Sequence, residues 1–243
     1  MNTGMLDLER LRELVDVGEV DTVIVGFADM QGRLVGKRVS ARLFLDQVVD
    51  HGVECCDYLL AVDVDMDTVD GYELSSWDSG YGDVVLTPDL ATLRRIPWLP
   101  GTALVIADVG GHDAAPTSVA PRSILQAQVA RLAERGLVAL AGTELEFQVF
   151  DDGYRDAFAK GYTGLTPASD HNIDYSIGAS SRMEPLIRAI RLGMDGAGMY
   201  CEGSKGECNR CLLYTSPSPR DLLSQSVCRL LSEKKRGGGG GGG

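Results

Sequence analysis

Short apolar runs separated by turn residues fill the first 110 positions and restrict this chain to a mixture of strands and helices. Residues 21–29 (DTVIVGFAD) are rich in β-branched side chains, and the turn Gln31–Gly32 precedes a second such run at 34–39. The pattern at 41–50 predicts a helix that Gly52 ends. Further strands are predicted at 53–64, 84–86 and 103–108. Strands interleaved with a helix indicate a small α+β domain at 1–112.

Residues 113–209 predict a second region with longer helices. Pro121 opens a helix, Leu125, Val129 and Leu132 form its apolar stripe, and Gly136 closes it. The remaining pattern predicts a strand at 137–150, a polar loop at 151–178, an amphipathic helix at 183–194 and a strand at 198–201.

The composition excludes several classes of function. The 243 residues carry a net charge of −12, which argues against a protein that binds nucleic-acid phosphates. No run of about 18 apolar residues is present, so no transmembrane helix and no membrane partner are predicted. The beginning of the chain, with Asp7 and Glu9, lacks a signal-peptide pattern, and a cytoplasmic location is expected.

The last 34 positions, 210–243, differ in character from the rest. They hold six Lys or Arg and two acidic residues, and they end in seven glycines, which have nothing to bury. The string CLLYTSPSPRD at 211–221 resembles the translation of a transposon adapter used in preparing sequencing libraries. We therefore expect 210–243 to be a non-native, disordered tail, and 1–209 to be the N-terminal part of a longer protein. A natural Ser/Pro linker with a short helix at 222–235 is the alternative.

Two carboxylates in the segment GTELEF carry the clearest chemical signal. Glu144 and Glu146 lie two apart in a predicted strand, so they share one face, while Leu145 and Phe147 share the other. Neighbouring carboxylates repel unless a cation lies between them, and hard cations such as Mg²⁺ or Mn²⁺ take oxygen ligands. A solvated strand face is the ordinary alternative.

A second acidic cluster lies in CEGSKGECN, where Gly203 and Gly206 permit a tight backbone between Glu202 and Glu207. By itself this cluster is also compatible with a surface turn.

The order of both clusters, after DVVLTPDLATLRRIPWLPGTALVIADV (83–109) and APRSIL (120–125), resembles the N-terminal part of the glutamine synthetase superfamily. Within it the sequence resembles the branch that joins glutamate to amines such as polyamines or ethanolamine.

This resemblance implies a β-grasp-like domain at 1–112 followed by the truncated start of a catalytic domain at 113–209. It implies ATP and Mg²⁺ or Mn²⁺ as cofactors, glutamate with an amine or ammonium as substrates, and a ring-shaped homo-oligomer that works in nitrogen metabolism. Glu146 and Glu207 match ligands of the metal ion on the glutamate side, and Glu144 matches a ligand of the ion on the nucleotide side. Glu202 matches an acidic residue of the nucleotide region.

Two departures from the family pattern qualify these expectations. Members that use ammonia carry an Asp-Gly-Ser-Ser loop, whereas 70–83 reads DGYELSSWDSGYGD; any of Asp70, Glu73, Asp78 or Asp83 could replace its aspartate, and the spacing selects none. This favours a larger amine and leaves the catalytic base unassigned. The Gly-Gln-x-Glu segment and later ligands that follow Asn209 in the family are missing, so the 243-residue chain is expected to be inactive.

Cysteines offer a different interpretation. Cys208 and Cys211 have the spacing of a zinc knuckle, with Cys201 before them and Cys228 after them. This predicts a zinc-binding module in place of an enzyme. A non-catalytic scaffold that keeps only the fold is a third alternative.

Overall fold

The computed structural model describes residues 4–72, 74, 80–112, 115–169 and 171–207, and the backbone alone for 210–214. The chain forms two compact mixed α/β units. The first comprises Met1–Ala139 with Asp195–Met199, and the second comprises Leu140–Met194 with Tyr200–Gly243. This division keeps 113–139 with the first unit, so it differs from the boundary predicted at 112. That boundary stays a prediction. Residues 210–214 of the predicted disordered tail form a strand, which differs from the expectation, and the rest of the tail lies outside the described residues.

The first unit contains a six-stranded sheet. Its strands are β1 (Thr22–Ala28), β2 (Leu34–Ser40), β3 (Val53–Cys56), β4 (Asp83–Pro88), β5 (Arg94–Arg95) and β6 (Thr102–Gly110). Their order is β2-β1-β6-β4-β3, and β5 pairs with β6 outside this path. β1 runs antiparallel to β2 and parallel to β6, so the first and last strands meet at the centre of the sheet. The strands predicted at 21–29, 34–39, 84–86 and 103–108 are confirmed.

Alternating apolar residues bury one face of this sheet against helices. Val23, Val25 and Phe27 of β1 are buried, as is every second residue of β6. Two helical segments cover the unit: α1 (Leu8–Asp16), and a continuous segment made of α2 (Ala41–Leu43), a π-helical turn (Phe44–Val48) and α3 (Val49–His51). Ala41, Phe44 and Val48 project from one side of that segment into the core, as the predicted helix requires.

Gly52 ends this helical segment with a backbone φ of 71°. A Cβ at this position would lie 2.8 Å from the carbonyl oxygen of Leu86, so only glycine fits. The strand predicted at 53–64 is wrong beyond Cys56, because Asp57–Leu60 forms a 3₁₀ turn. The chain then folds on itself, since the carboxylate of Asp63 accepts hydrogen bonds from the backbone of Asp65 and Asp67.

Helix α4 (Pro121–Ala133) is confirmed, but its predicted apolar stripe is not buried. Leu125 is 63% exposed, and Val129 is exposed as well. The helix is instead attached at its beginning: Ala120 is buried in the core of the first unit, and Arg122 forms ion pairs with Asp89 and Asp108. Periodicity therefore identified the helix correctly, while Leu125 and Val129 of its apolar stripe are exposed.

The second unit is built around a small antiparallel sheet. It contains the strands β7 (Glu144–Phe147), β8 (Gly203–Glu207) and β9 (Arg210–Tyr214), in the order β7-β9-β8. Its helices are α5 (Tyr154–Ala159), α6 (Ile177–Ser180), a 3₁₀ turn (Ser181–Met183) and α7 (Glu184–Gly196). The buried core comprises Ala168, Ile173, Met183 and Ile187, with Phe147 and Ile190 packed against it. The helix predicted at 183–194 is confirmed.

Three predictions for the second unit need correction. The strand predicted at 137–150 is limited to β7, because only its residues pair with β9. The loop predicted at 151–178 contains α5, whose residue Ala157 is buried. The strand predicted at 198–201 lies instead at β8, where Gly206 is required because a Cβ there would lie 2.3 Å from the carbonyl oxygen of Ile173.

Candidate functional site

Strand β7 presents Glu144 and Glu146 on one face of the sheet in the second unit, as the sequence predicts. Both side chains are exposed, whereas Phe147 on the opposite face packs against the core of this unit. Alternation along the strand therefore separates a polar face from an apolar one.

Glu207 lies on the same face of this sheet but on another strand. Glu146 is opposite Leu212 of β9, and Leu212 is opposite Lys205 of β8. Directly opposed residues of antiparallel strands share a face, so Glu144, Glu146, Lys205 and Glu207 lie on one side. Strand β9 separates the carboxylates by two strand spacings, about 10 Å. Among the described residues, no three His, Cys, Asp or Glu side chains gather closely enough to hold a metal ion.

Lys205 forms an ion pair with Glu207. Its Nζ lies 2.6 Å from Oε2 of Glu207, 3.0 Å from Oδ1 of Asp174 and 4.0 Å from the centre of the Tyr175 ring. Partial burial acts to lower the pKa of Lys205, but the hydrogen bonds to Glu207 and Asp174 outweigh it and raise this pKa. The lysine is therefore held as a cation between two carboxylates.

Glu202 lies at the rim of a cleft of about 390 Å³ in the second unit. The cleft is also lined by Glu184, Arg191 and Ser204. The guanidinium of Arg191 donates to both carboxylate oxygens of Glu184, at 2.5 and 3.3 Å, and to Oγ of Ser204 at 2.6 Å. The hydrogen bonds that Arg191 donates to Glu184 lower the pKa of Glu184 and raise the pKa of Arg191. Glu202 thus lines the cleft, whereas Glu207, five residues later, is paired with Lys205 on the face of the sheet.

Asp57 in the first unit is a candidate that the sequence analysis missed. Its side chain is buried, with 8% of the residue exposed. Oδ2 accepts a hydrogen bond of 3.0 Å from the backbone of Gly82, whereas Oδ1 is buried with no hydrogen-bond partner among the described residues. The rings of Tyr58 and Tyr81, which are the chain neighbours of Asp57 and Gly82, pack edge to face 5.8 Å apart. A buried carboxylate oxygen without a donor among the described residues suits a cationic ligand.

A signal for Asp57 is present in the sequence, because it is a lone acidic residue within the apolar run CCDYLLAV. The four residues proposed from the sequence are placed differently. Asp70 and Asp83 are exposed, and Glu73 and Asp78 lie outside the described residues.

The zinc hypothesis remains a prediction. Cys208 and Cys228 lie outside the described residues, and for Cys211 only the backbone is described. The thiol of Cys201 donates to the carbonyl oxygen of Gly203 at 3.6 Å.

Comparison with known proteins identifies the family. Residues 118–213 match the model of the glutamine synthetase catalytic domain. The γ-glutamylethanolamide synthetase GlnA4 of Streptomyces coelicolor is 56% identical over 207 residues, which cover 85% of this chain and 45% of that protein. The chain belongs to the glutamine synthetase superfamily. The glutamate–isopropylamine ligase of a Pseudomonas species is 30% identical over 198 residues, covering 82% of this chain and 43% of that protein.

Solved structures agree with the superfamily assignment at the level of the fold. GmaS without ligand has a TM-score of 0.61 at 22% identity, covering 87% of this chain and 46% of that one. A novel glutamine synthase homolog has a TM-score of 0.62 at 16% identity, covering 82% of this chain and 44% of that one. The chain thus spans less than half the length of the relatives it matches.

The match to the glutamine synthetase catalytic domain includes Glu144, Glu146, Glu202 and Glu207. It ends close to Asn209, where the sequence analysis expects the family sequence to stop. The resemblance to the branch of γ-glutamyl-amine ligases is confirmed by the names and identities of the two curated relatives. No helix among the described residues is long and apolar enough to cross a membrane.

Proposed function

We propose that this chain is part of an enzyme that joins glutamate to an amine at the expense of ATP, through a γ-glutamyl phosphate. The observation that carries the proposal is the shared face of the second unit's sheet, which presents Glu144, Glu146 and Glu207 within the segment matched by the catalytic-domain model. The 56% identity to a γ-glutamylethanolamide synthetase supports an amine as the acceptor.

The carboxylates fit divalent cations in chemical type and in the face they occupy. Their oxygens are the ligands that Mg²⁺ and Mn²⁺ prefer, and bound ions of this kind screen the charges of phosphates and carboxylates during phosphoryl transfer. In position they are an incomplete set, since no group of three gathers among the described residues. We assign Glu146 and Glu207 to the ion on the glutamate side and Glu144 to the ion on the nucleotide side.

Glu202 is proposed to contact the nucleotide. It lies beside a cleft whose lining also offers the hydroxyls of Ser180 and Ser181. Arg191 is engaged with Glu184 and Ser204, so its role there is to hold the wall of the cleft in place. The protein's part in the transfer is to orient the groups and to exclude water from the acyl phosphate.

Asp57 is proposed to receive the amine substrate. An amine arrives at neutral pH as an ammonium cation, and a buried carboxylate oxygen without a donor gives it a strong hydrogen-bond acceptor. The resemblance places the amine contact in the N-terminal domain, reaching the site of a neighbouring subunit, and Asp57 belongs to the first unit. Asp57 can then accept a proton from the ammonium, which frees the nitrogen lone pair for attack.

Several coarser features support wider proposals. The order β2-β1-β6-β4-β3, with β1 parallel to β6 and a helical crossover after β2, supports a β-grasp-like N-terminal domain. We also propose a domain boundary near 112, a ring-shaped homo-oligomer and a cytoplasmic location. These rest on the family resemblance.

The function is tested by supplying ATP, glutamate and a panel of amines to the protein encoded by the uninterrupted gene, with the 243-residue chain assayed beside it. Formation of a γ-glutamyl amide with equimolar ADP from the longer protein supports the proposal. ADP release that does not depend on an amine, or no product with any amine, contradicts it. Glutamate-dependent ADP release by the 243-residue chain would refute its expected inactivity.

For the amine contact, we expect Asp57→Asn to lower kcat/KM for the amine by about 100-fold or more, because an amide is not a general base. The KM values for ATP and glutamate should stay unchanged. Asp83→Asn is the matched control, since Asp83 is an exposed carboxylate of the same unit. A loss of amine turnover with Asp83→Asn and none with Asp57→Asn would reverse the assignment.

A further inference from the structure

Lys205 lies on the sheet face that also carries Glu144, Glu146 and Glu207. Its Nζ contacts Oε2 of Glu207 at 2.6 Å, Oδ1 of Asp174 at 3.0 Å and the carbonyl oxygen of Gly206 at 3.3 Å. The lysine side chain is only 15% exposed. Since Glu207 is a proposed metal ligand, a fixed ammonium occupies the coordination side of that ligand.

The loop that contains Asp174 and Tyr175 is shaped so that both residues contact the ammonium group of Lys205. Tyr175 has a backbone φ of 54°, an uncommon conformation for a residue with a side chain. It is kept by a hydrogen bond of 3.1 Å from the backbone N–H of Tyr175 to the carbonyl oxygen of Gly206. The absence of a side chain at Gly206 lets the backbone of Ile173 approach strand β8 closely. Asp174 and the Tyr175 ring are thereby placed beside the ammonium.

The partners of Lys205 therefore fall into two sets, of which only one is shared with the proposed metal ion. One partner, Glu207, is shared with the proposed metal ion. The others, Asp174 and the Tyr175 ring, lie on the loop and can hold the ammonium alone, through an ion pair and a cation–π contact. A lysine with this second attachment can release Glu207 without leaving the site.

We propose that Lys205 is a positioning residue that acts as an internal counter-ion: it holds Glu207 until a divalent cation takes that carboxylate, and it then remains on Asp174 and Tyr175. The inference rests on the proposed function, because it takes Glu207 as a metal ligand.

The test measures Mn²⁺ binding to the purified chain by electron paramagnetic resonance at low ionic strength. We expect Lys205→Met to bind Mn²⁺ about tenfold more tightly than the unaltered chain, because a competing unit charge near the ion has gone. Lys160→Met is the matched control, because Lys160 pairs with Asp152 in the same unit, away from Glu207, and should leave binding unchanged. Unchanged or weaker binding with Lys205→Met overturns the inference.

A second measurement uses the unaltered chain, so that a folding defect of the variant cannot hide the answer. Acetylation of lysines is followed by mass spectrometry with and without saturating Mg²⁺. Labelling of Lys205 should rise about threefold with Mg²⁺ as one of its two ion pairs is lost, while labelling of Lys160 stays constant. Equal labelling of Lys205 in both conditions overturns the inference.

Glu207→Gln separates this inference from the proposed function. If that substitution leaves Mn²⁺ affinity intact, Glu207 is not a ligand and the proposed metal role fails, and the inference fails with it. If it abolishes binding while Lys205→Met fails to tighten it, the metal role stands and only the counter-ion role is lost.

Discussion

The two units of this chain are stabilised in different ways. The first unit has an extensive apolar core in which Phe27, Phe44 and Leu11 are almost completely buried. The second unit has a small core around Ile173 and Ile187, and its remaining structure depends on polar contacts such as those of Lys205 and Arg191. The candidate site residues Glu144, Glu146, Glu202 and Glu207 belong to the second unit. Ligand-binding regions commonly have lower local stability than the cores that support them.

The largest effect should come from the apolar core of the first unit. Phe44→Ala is expected to lower the free energy of unfolding of this unit by about 3–5 kcal/mol, since it leaves a cavity at a fully buried position. Phe158→Ala removes the same ring from a position that is 74% exposed in the second unit, and should cost less than about 1 kcal/mol. Urea denaturation followed by the fluorescence of Trp98, which belongs to the first unit, measures the first. Equal effects would mean that the two units do not differ as described.

A smaller but still large effect is expected at Asp29, the buried acidic residue of the turn between β1 and β2. Its carboxylate accepts from Nε of Arg33 at 2.6 Å and from the backbone of Gln31 and Arg33. Asp29→Ala should cost about 3 kcal/mol, because these donors lose their acceptor. Glu13→Gln, in the exposed pair with Arg10, should change stability by no more than about 0.5 kcal/mol.

The pH dependence of stability gives an independent measure of Asp29. Burial acts to raise its pKa, but the hydrogen bonds from Arg33 and Gln31 outweigh burial and hold the pKa below its usual value. A carboxyl group with a lowered folded pKa stabilises the protein above its unfolded pKa and loses that contribution as pH falls through the folded pKa. The stability difference between the unaltered chain and Asp29→Asn should therefore shrink below about pH 4. A constant difference between pH 2 and pH 7 would contradict this.

The smallest effect should be found in the core of the second unit. Ile187→Ala is expected to cost about 2 kcal/mol, at the low end for such changes, because few buried neighbours surround this residue. Leu192→Ala on the same helix is 52% exposed and serves as the control. Hydrogen exchange of strand β8 is the measurement, since it reports on this unit alone. A loss of protection in β1 equal to that in β8 would show that the units unfold together.

Local sequence patterns predicted those parts of the fold that local patterns determine. Alternating β-branched residues located β1 and β2, and the spacing of Ala41, Phe44 and Val48 marks the helical segment that follows them. The strand predicted at 53–64 failed beyond Cys56 because Asp57–Leu60 forms a 3₁₀ turn, and the carboxylate of Asp63 then holds a second turn. The periodicity of α4 located the helix but did not show what covers its apolar stripe, which is exposed at Leu125 and Val129.

The candidate site was predictable only in part for a related reason. The spacing of Glu144 and Glu146 fixes their shared face, and the structure agrees. The relation of Glu146 to Glu207 depends on pairing through β9, and the relation of Lys205 to Asp174 depends on a contact between residues 31 positions apart. Asp57 was missed because desolvation of a side chain follows from packing, which a short sequence window does not reveal.

The parallel pairing of β1 with β6 has a consequence for synthesis on the ribosome. Thr22 pairs with Thr102, so the centre of the sheet cannot close until the strand ending at Gly110 has left the exit tunnel. At translation rates of about 5–20 residues per second, the hairpin of β1 and β2 waits several seconds with one edge unpaired. Nascent chains of this protein should therefore engage chaperones during that interval and release them once β6 emerges.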